Sequence, residues 1–127
     1  MPYLHVISLG CAKNQVDTEE MLGRLLPRGC DLCEAPEDAD IILINTYAFI
    51  APARDETEEV IRDVCQRSHP DQSIVVCGCY PERYGEECEC RFPFVDAWVT
   101  LEEESDIALL CEQLGHPLDE AADIQRI

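Results

Sequence analysis

Three short runs rich in β-branched residues mark this chain: LHVISL at 4–9, IILIN at 41–45 and IVVC at 74–77. The stretches between them follow another period. Met21, Leu22, Leu25 and Leu26 recur one helical turn apart, as do Val60, Ile61, Val64 and Cys65. That spacing is the apolar stripe of an amphipathic helix. Apolar runs of four to six residues are strands covered on both faces, and strands alternating with helices form parallel sheets through right-handed crossovers. The pattern predicts an α/β fold: an open, mainly parallel five-stranded sheet with helices on both faces, for which 2-1-3-4-5 is a common strand order.

The remaining elements follow from local signals. The first helix is expected over 14–26, with Asp17 and Glu20 as a capping box and Pro27 and Gly29 as its stop. A short second strand is expected over 30–34, then an acidic turn over 36–40. Pro52 opens a helix running to 68. After a turn over 69–73 and the strand at 74–77, a short helix is expected over 81–90 and a last strand over 97–100. A final helix over 102–114 buries Ile107, Leu110, Cys111 and Leu114, and Gly115 stops it. Residues 1–115 then make one domain, with 116–127 as a linker.

At 127 residues the chain is long enough to bury a core without staples. No apolar run approaches the length of a membrane span, and the start MPYLHVISLG has neither a basic leader nor a cleavage-type pattern. A cytoplasmic, non-membrane protein is expected, with its nine cysteines present as reduced thiols or ligands. The formal charge is −18, from 27 acidic against nine basic residues. Such a surface repels phosphate backbones, so direct nucleic-acid binding by this segment is not expected. It is either a solvated acidic face or a match for a basic partner.

Open parallel sheets place their sites beyond the carboxyl ends of the strands. Three places qualify: Gly10-Cys11, Thr46-Tyr47 and Gly78-Cys79. In the order 2-1-3-4-5 the strands they follow are neighbours. Cys11 and Cys79 each follow a glycine, which permits close backbone approach, and each precedes a helix whose first amides favour a thiolate. Two such loops at one sheet edge suggest a shared metal or cluster site. The other cysteines read differently. Cys65 and Cys111 sit on apolar helix faces and behave as small hydrophobes. Cys30 and Cys33 lack the helix N-terminus a redox pair needs and the second pair a zinc ribbon needs. Cys88 and Cys90 lie about 200° apart on a helix, so one packs and the other is exposed. CGCYPER, from Cys77 to Arg83, matches the C-x5-R loop of cysteine phosphatases. Against that reading, Glu82 would sit in the anion cradle and Pro81 lacks an amide donor, so Cys77 is expected to be the last buried strand residue.

SLGCAKNQVDTEEMLGRL, DADIILINTYAFI and VVCGCYPERYGEE, followed by PFVDAWV, resemble the N-terminal domain of radical-SAM methylthiotransferases, in order and spacing over nearly the whole chain. SLGC-x-KN-x-VD and NT-x-x-FI look like the RimO type, which modifies an aspartate of a ribosomal protein, rather than the tRNA-modifying MiaB type. The resemblance implies a 4Fe–4S cluster held by three residues, each after a strand. By position these are Cys11, residue 47 and Cys79, with Cys11 and Cys79 as metal ligands. Asn14, Asp17 and Asn45 match motif positions and are expected to serve in loops and caps. Residue 47 is Tyr47, where the family has cysteine. C-x-x-x-C-x-x-C, which holds the S-adenosylmethionine-cleaving cluster, is absent, and DEAADIQRI resembles the linker before that radical-SAM domain. The resemblance therefore implies a ribosomal-protein substrate and a radical-SAM domain of the same enzyme as partners. The isolated segment is not expected to turn over. Tyr47 leaves room for a rival, a degenerate stand-alone interaction or regulatory module without a cluster.

Overall fold

A computed structural model describes residues 3–9, 12–46, 51–85, 87–100, 103 and 106–115. Five strands form one parallel sheet: β1 (Tyr3–Ser8), β2 (Asp31–Leu32), β3 (Ile41–Thr46), β4 (Ser73–Gly78) and β5 (Ala97–Val99), in the spatial order β2-β1-β3-β4-β5. This is the expected order, with the most apolar run, β3, at the centre and buried at every residue.

Two-residue alternation divides the core. Ile42, Ile44, Ile74 and Val76 point to one face, under α2 (Ala51–Arg67), α3 (Cys79–Tyr84) and α4 (Glu87–Arg91). Ile41, Leu43, Val75, Cys77 and Val99 point to the other, against α1 (Ala12–Leu25) and α5 (Ile107–Gln113). Because side chains alternate along a strand, consecutive apolar residues supply both layers. Met21 and Leu25 of α1, Ile61 and Val64 of α2, and Ile107 and Cys111 of α5 are buried. Each follows its helix's apolar stripe.

Several boundaries differ from expectation. Asp17 lies well inside α1, which begins by Ala12, so Asp17 and Glu20 cannot form a capping box at its start. The second strand shortens to two residues at the sheet edge. The expected helix over 81–90 is two helices, α3 beginning at Cys79 and α4 at Glu87. Gly85, at φ 50°, breaks them apart in a conformation that side-chain-bearing residues avoid. Pro81 sits in the first turn of α3, where a missing amide costs nothing. The last helix is described from Ile107 to Gln113, and the tail over 116–127 lies outside the described residues.

A buried carboxylate joins the helices on one face. Glu58 of α2 accepts a hydrogen bond from the Tyr80 hydroxyl at 2.7 Å, and Arg91 Nη1 lies 3.0 Å from the same oxygen. Tyr80 is fully buried, with Trp98 stacked on it at 6.0 Å and Tyr84 tilted against it at 4.7 Å. Burial, then the Glu58 contact, pushes the phenol well above its usual range. Among the described residues no helix is long and apolar enough to cross a membrane.

Candidate functional site

The carboxyl ends of β1, β3 and β4 lie side by side. Ser8 pairs with Asn45, and the Leu9 amide donates to the Asn45 carbonyl at 2.9 Å. Thr46 pairs with Gly78. Cys11 and Tyr47, two of the three expected site residues, lie outside the described residues, as does Gly10. Cys79 is described. It opens α3 directly after β4 and is 8% exposed. The expectation of a loop between that strand and the helix is corrected: strand passes to helix at Gly78 itself.

Gly78 makes that passage possible. Its φ is 95°, and a Cβ there would lie 2.5 Å from both Asn45 Oδ1 and the Thr46 carbonyl oxygen, and 2.8 Å from the Thr46 nitrogen. Only glycine meets both the left-handed φ and the close approach. The atoms it packs against are themselves held. Asn45 Nδ2 donates to Thr18 Oγ1 at 2.7 Å, and that hydroxyl donates to Ser8 Oγ at 3.3 Å. The chain of polar groups thus runs from β3 through α1 to β1. Asn45 is fully buried in β3, so its expected loop or cap role is corrected. A buried amide needs its partners, and here they tie three elements together. Asn14 and Asp17 lie within α1.

Thr46, named from the sequence as a strand-end position, was given no role there. Its side chain faces the opposite layer from Asn45. Its hydroxyl donates to the Cys77 carbonyl at 2.6 Å and accepts from the Tyr80 amide at 3.0 Å. The available signal was slight: two polar residues, Asn45 and Thr46, closing an otherwise apolar run.

The other cysteines fall into place by burial. Cys77 is fully buried within β4, on the face of α1 and α5. A phosphatase nucleophile must stand in the loop at the helix N-terminus, so the C-x5-R reading fails on geometry. Cys88 is buried and Cys90 exposed, as their helical spacing requires. Cys30 is buried in the same layer as Cys111. Burial pushes the Cys30 and Cys88 thiols up to about 11 and Cys111 up to about 12, and raises Cys33 and Cys65 as well. Cys30, Cys88 and Cys111 are buried packing thiols held in the protonated form, which is not the nucleophile.

The donor set at the expected site departs from a three-thiolate cradle. Cluster iron takes soft thiolate sulfur, and Tyr47 offers a hard oxygen on a bulky ring. Cys11, Tyr47 and Cys79 therefore do not fit a three-cysteine cluster site as they stand.

The family described as Uncharacterized protein family UPF0004 matches residues 3–100, and the chain belongs to it. Within that class, it corresponds to the N-terminal domain of RimO-type methylthiotransferases. It is 42% identical over 110 residues to the ribosomal protein uS12 methylthiotransferase RimO of a Nitratiruptor species, covering 87% of this chain and 25% of that protein. Against the protein of the same name from Aquifex aeolicus the identity is 42% over 122 residues, covering 96% and 26%. The chain spans about a quarter of the length of the curated relatives it matches. No solved structure matches it.

Proposed function

We propose that this chain is the N-terminal domain of a RimO-type methylthiotransferase, a transferase that places a methylthio group on an aspartate of a ribosomal protein. Residues 1–115 form the domain, and 116–127 lead toward a radical-SAM domain that handles S-adenosylmethionine. The segment by itself does not turn over. Its share of the reaction is the carboxyl edge of the sheet, where Cys11, Tyr47 and Cys79 take the three positions of a 4Fe–4S ligand set. The supporting observation is the adjacency of the three strand ends that precede them.

Tyr47 favours a second reading, a related module that has lost its cluster and acts through contacts alone. One experiment addresses both. After anaerobic reconstitution with iron and sulfide, the chain as it stands should retain little of either. Tyr47→Cys should raise the content toward about four irons per chain. Adding Cys79→Ala should abolish it and adding Cys77→Ala should not, because Cys77 is buried within β4, inside the packing of the sheet. A folded Tyr47→Cys protein without iron would refute the ligand positions and favour the contact module. Loss of iron in the Cys77→Ala variant, with its fold intact, would show that the wrong cysteine of CGC was chosen.

A further inference from the structure

Helix α3 has an unusual cap. Its first turn presents amides that need acceptors, and the residue at the cap position normally supplies a side-chain oxygen. Here that residue is Gly78, which has no side chain, and no local cap forms. The acceptor comes from the neighbouring strand. Thr46 Oγ1 receives the Tyr80 amide at 3.0 Å and donates to the Cys77 carbonyl at 2.6 Å. One hydroxyl therefore holds the backbone on both sides of Gly78-Cys79, and Thr46, Cys77 and Tyr80 are all buried. Thr46 is also the ladder partner of Gly78 and the residue immediately before position 47.

We propose that Thr46 is a positioning residue, whose hydroxyl sets where the Cys79 thiol stands at the carboxyl edge of the sheet. This rests on the reading of Cys79 as a ligand residue of the site. The placement of Cys79 is then tied to the paired ends of β3 and β4. Strand register defines the positions of Thr46 and Gly78, and the hydroxyl carries that registration one residue further into the helix. A valine at 46 has the same shape and would pack as well against the apolar layer. It has no means of satisfying the Tyr80 amide or the Cys77 carbonyl, so the turn is free to open while the sheet remains.

The test compares Thr46→Val with Thr46→Ser in the reduced chain. The readout is the rate of iodoacetamide labelling at each cysteine, resolved by peptide mass spectrometry. Cys88 and Cys111, buried in the two layers, report global opening. In Thr46→Val the Cys79 rate should rise about tenfold, the scale of one lost buried hydrogen-bond tether, while Cys88 and Cys111 keep their rates. Thr46→Ser should label like the parent. A Cys79 rate unchanged in Thr46→Val would overturn the proposal, as would a common rise at all three cysteines. Hydrogen exchange on the unaltered chain gives a check that needs no variant: the Tyr80 amide must be protected, and fast exchange there would also overturn it. The Tyr47→Cys reconstitution reads the ligand positions separately. Failure there, with a Cys79-specific effect here, would refute the ligand reading and leave the Thr46 tether supported.

Discussion

Replacing Gly78 with alanine should unfold this domain far more readily than the same change at Gly85. Both glycines have positive φ, 95° and 50°. Their surroundings differ. An added Cβ at Gly85 meets nothing within 4 Å, so the cost is backbone strain alone, about 1–2 kcal/mol. At Gly78 the strain is joined by contacts of 2.5 Å to Asn45 Oδ1 and to the Thr46 carbonyl oxygen. Two of the three close atoms belong to the Thr46 backbone, which cannot rotate away. Relief requires parting the central strand β3 from β4 at Thr46 and Gly78, at the carboxyl edge of the sheet. Strain of about 1–3 kcal/mol and overpacking of about 1–3 kcal/mol sum to about 4 kcal/mol. That is a large share of the roughly 5–15 kcal/mol that stabilises a domain. In urea titrations with a slope near 2 kcal/mol per molar, the Gly78→Ala midpoint should fall by about 2 M, and that of Gly85→Ala by less than about 1 M. Equal midpoints for the two variants would refute the close-approach argument.

Stability should fall steeply above pH 9, because burial holds the Cys30 and Cys88 thiols at about 11 and Cys111 at about 12, against 9.0 in the unfolded chain. Between those values the unfolded state releases protons that the folded state keeps, so each thiol removes about 1.4 kcal/mol per pH unit. Urea midpoints in reductant at pH 8, 9 and 10 would show this, and a flat profile would contradict it. Tyr80→Phe should cost about 2 kcal/mol by removing a buried hydrogen bond to the Glu58 carboxylate, measured by the same titration. A loss below about 0.5 kcal/mol would mean that the bond contributes nothing net.

Periodicity makes the layers legible in the sequence itself. IILIN reads as a doubly buried strand because its run is apolar up to the closing asparagine, and it lies at the centre with both neighbours paired. The stripe through Ile61 and Val64 placed α2, and the half-turn between Cys88 and Cys90 separated a packed thiol from an exposed one. Alternation and crossover handedness, which are properties of twisted L-polypeptide chains, gave a parallel sheet; the order 2-1-3-4-5 was the common one for such sheets, and the pairing of the strands settled it. From the sequence, Gly78-Cys79 also stood out as a strand-end position. The family resemblance then gave it a ligand role.

What the tertiary structure alone decided depends on contacts between residues distant in the chain. Thr46 and Tyr80 are separated by 34 positions, and Asn45 and Thr18 by 27. A hydrogen bond of that span leaves no periodic trace, so neither the cap on α3 nor the polar chain behind Gly78 could be read locally. Glu58 is a similar case. On a helical wheel it is one acidic residue among several in DETEEV, and only the approach of α3 and α4 makes it a buried carboxylate. Gly85 split one expected helix into two through its backbone conformation, which composition does not reveal. Short-range pattern sorts residues into layers. The carboxyl edge of the sheet, where the candidate site stands, is built from long-range polar contacts that form only once those layers have packed.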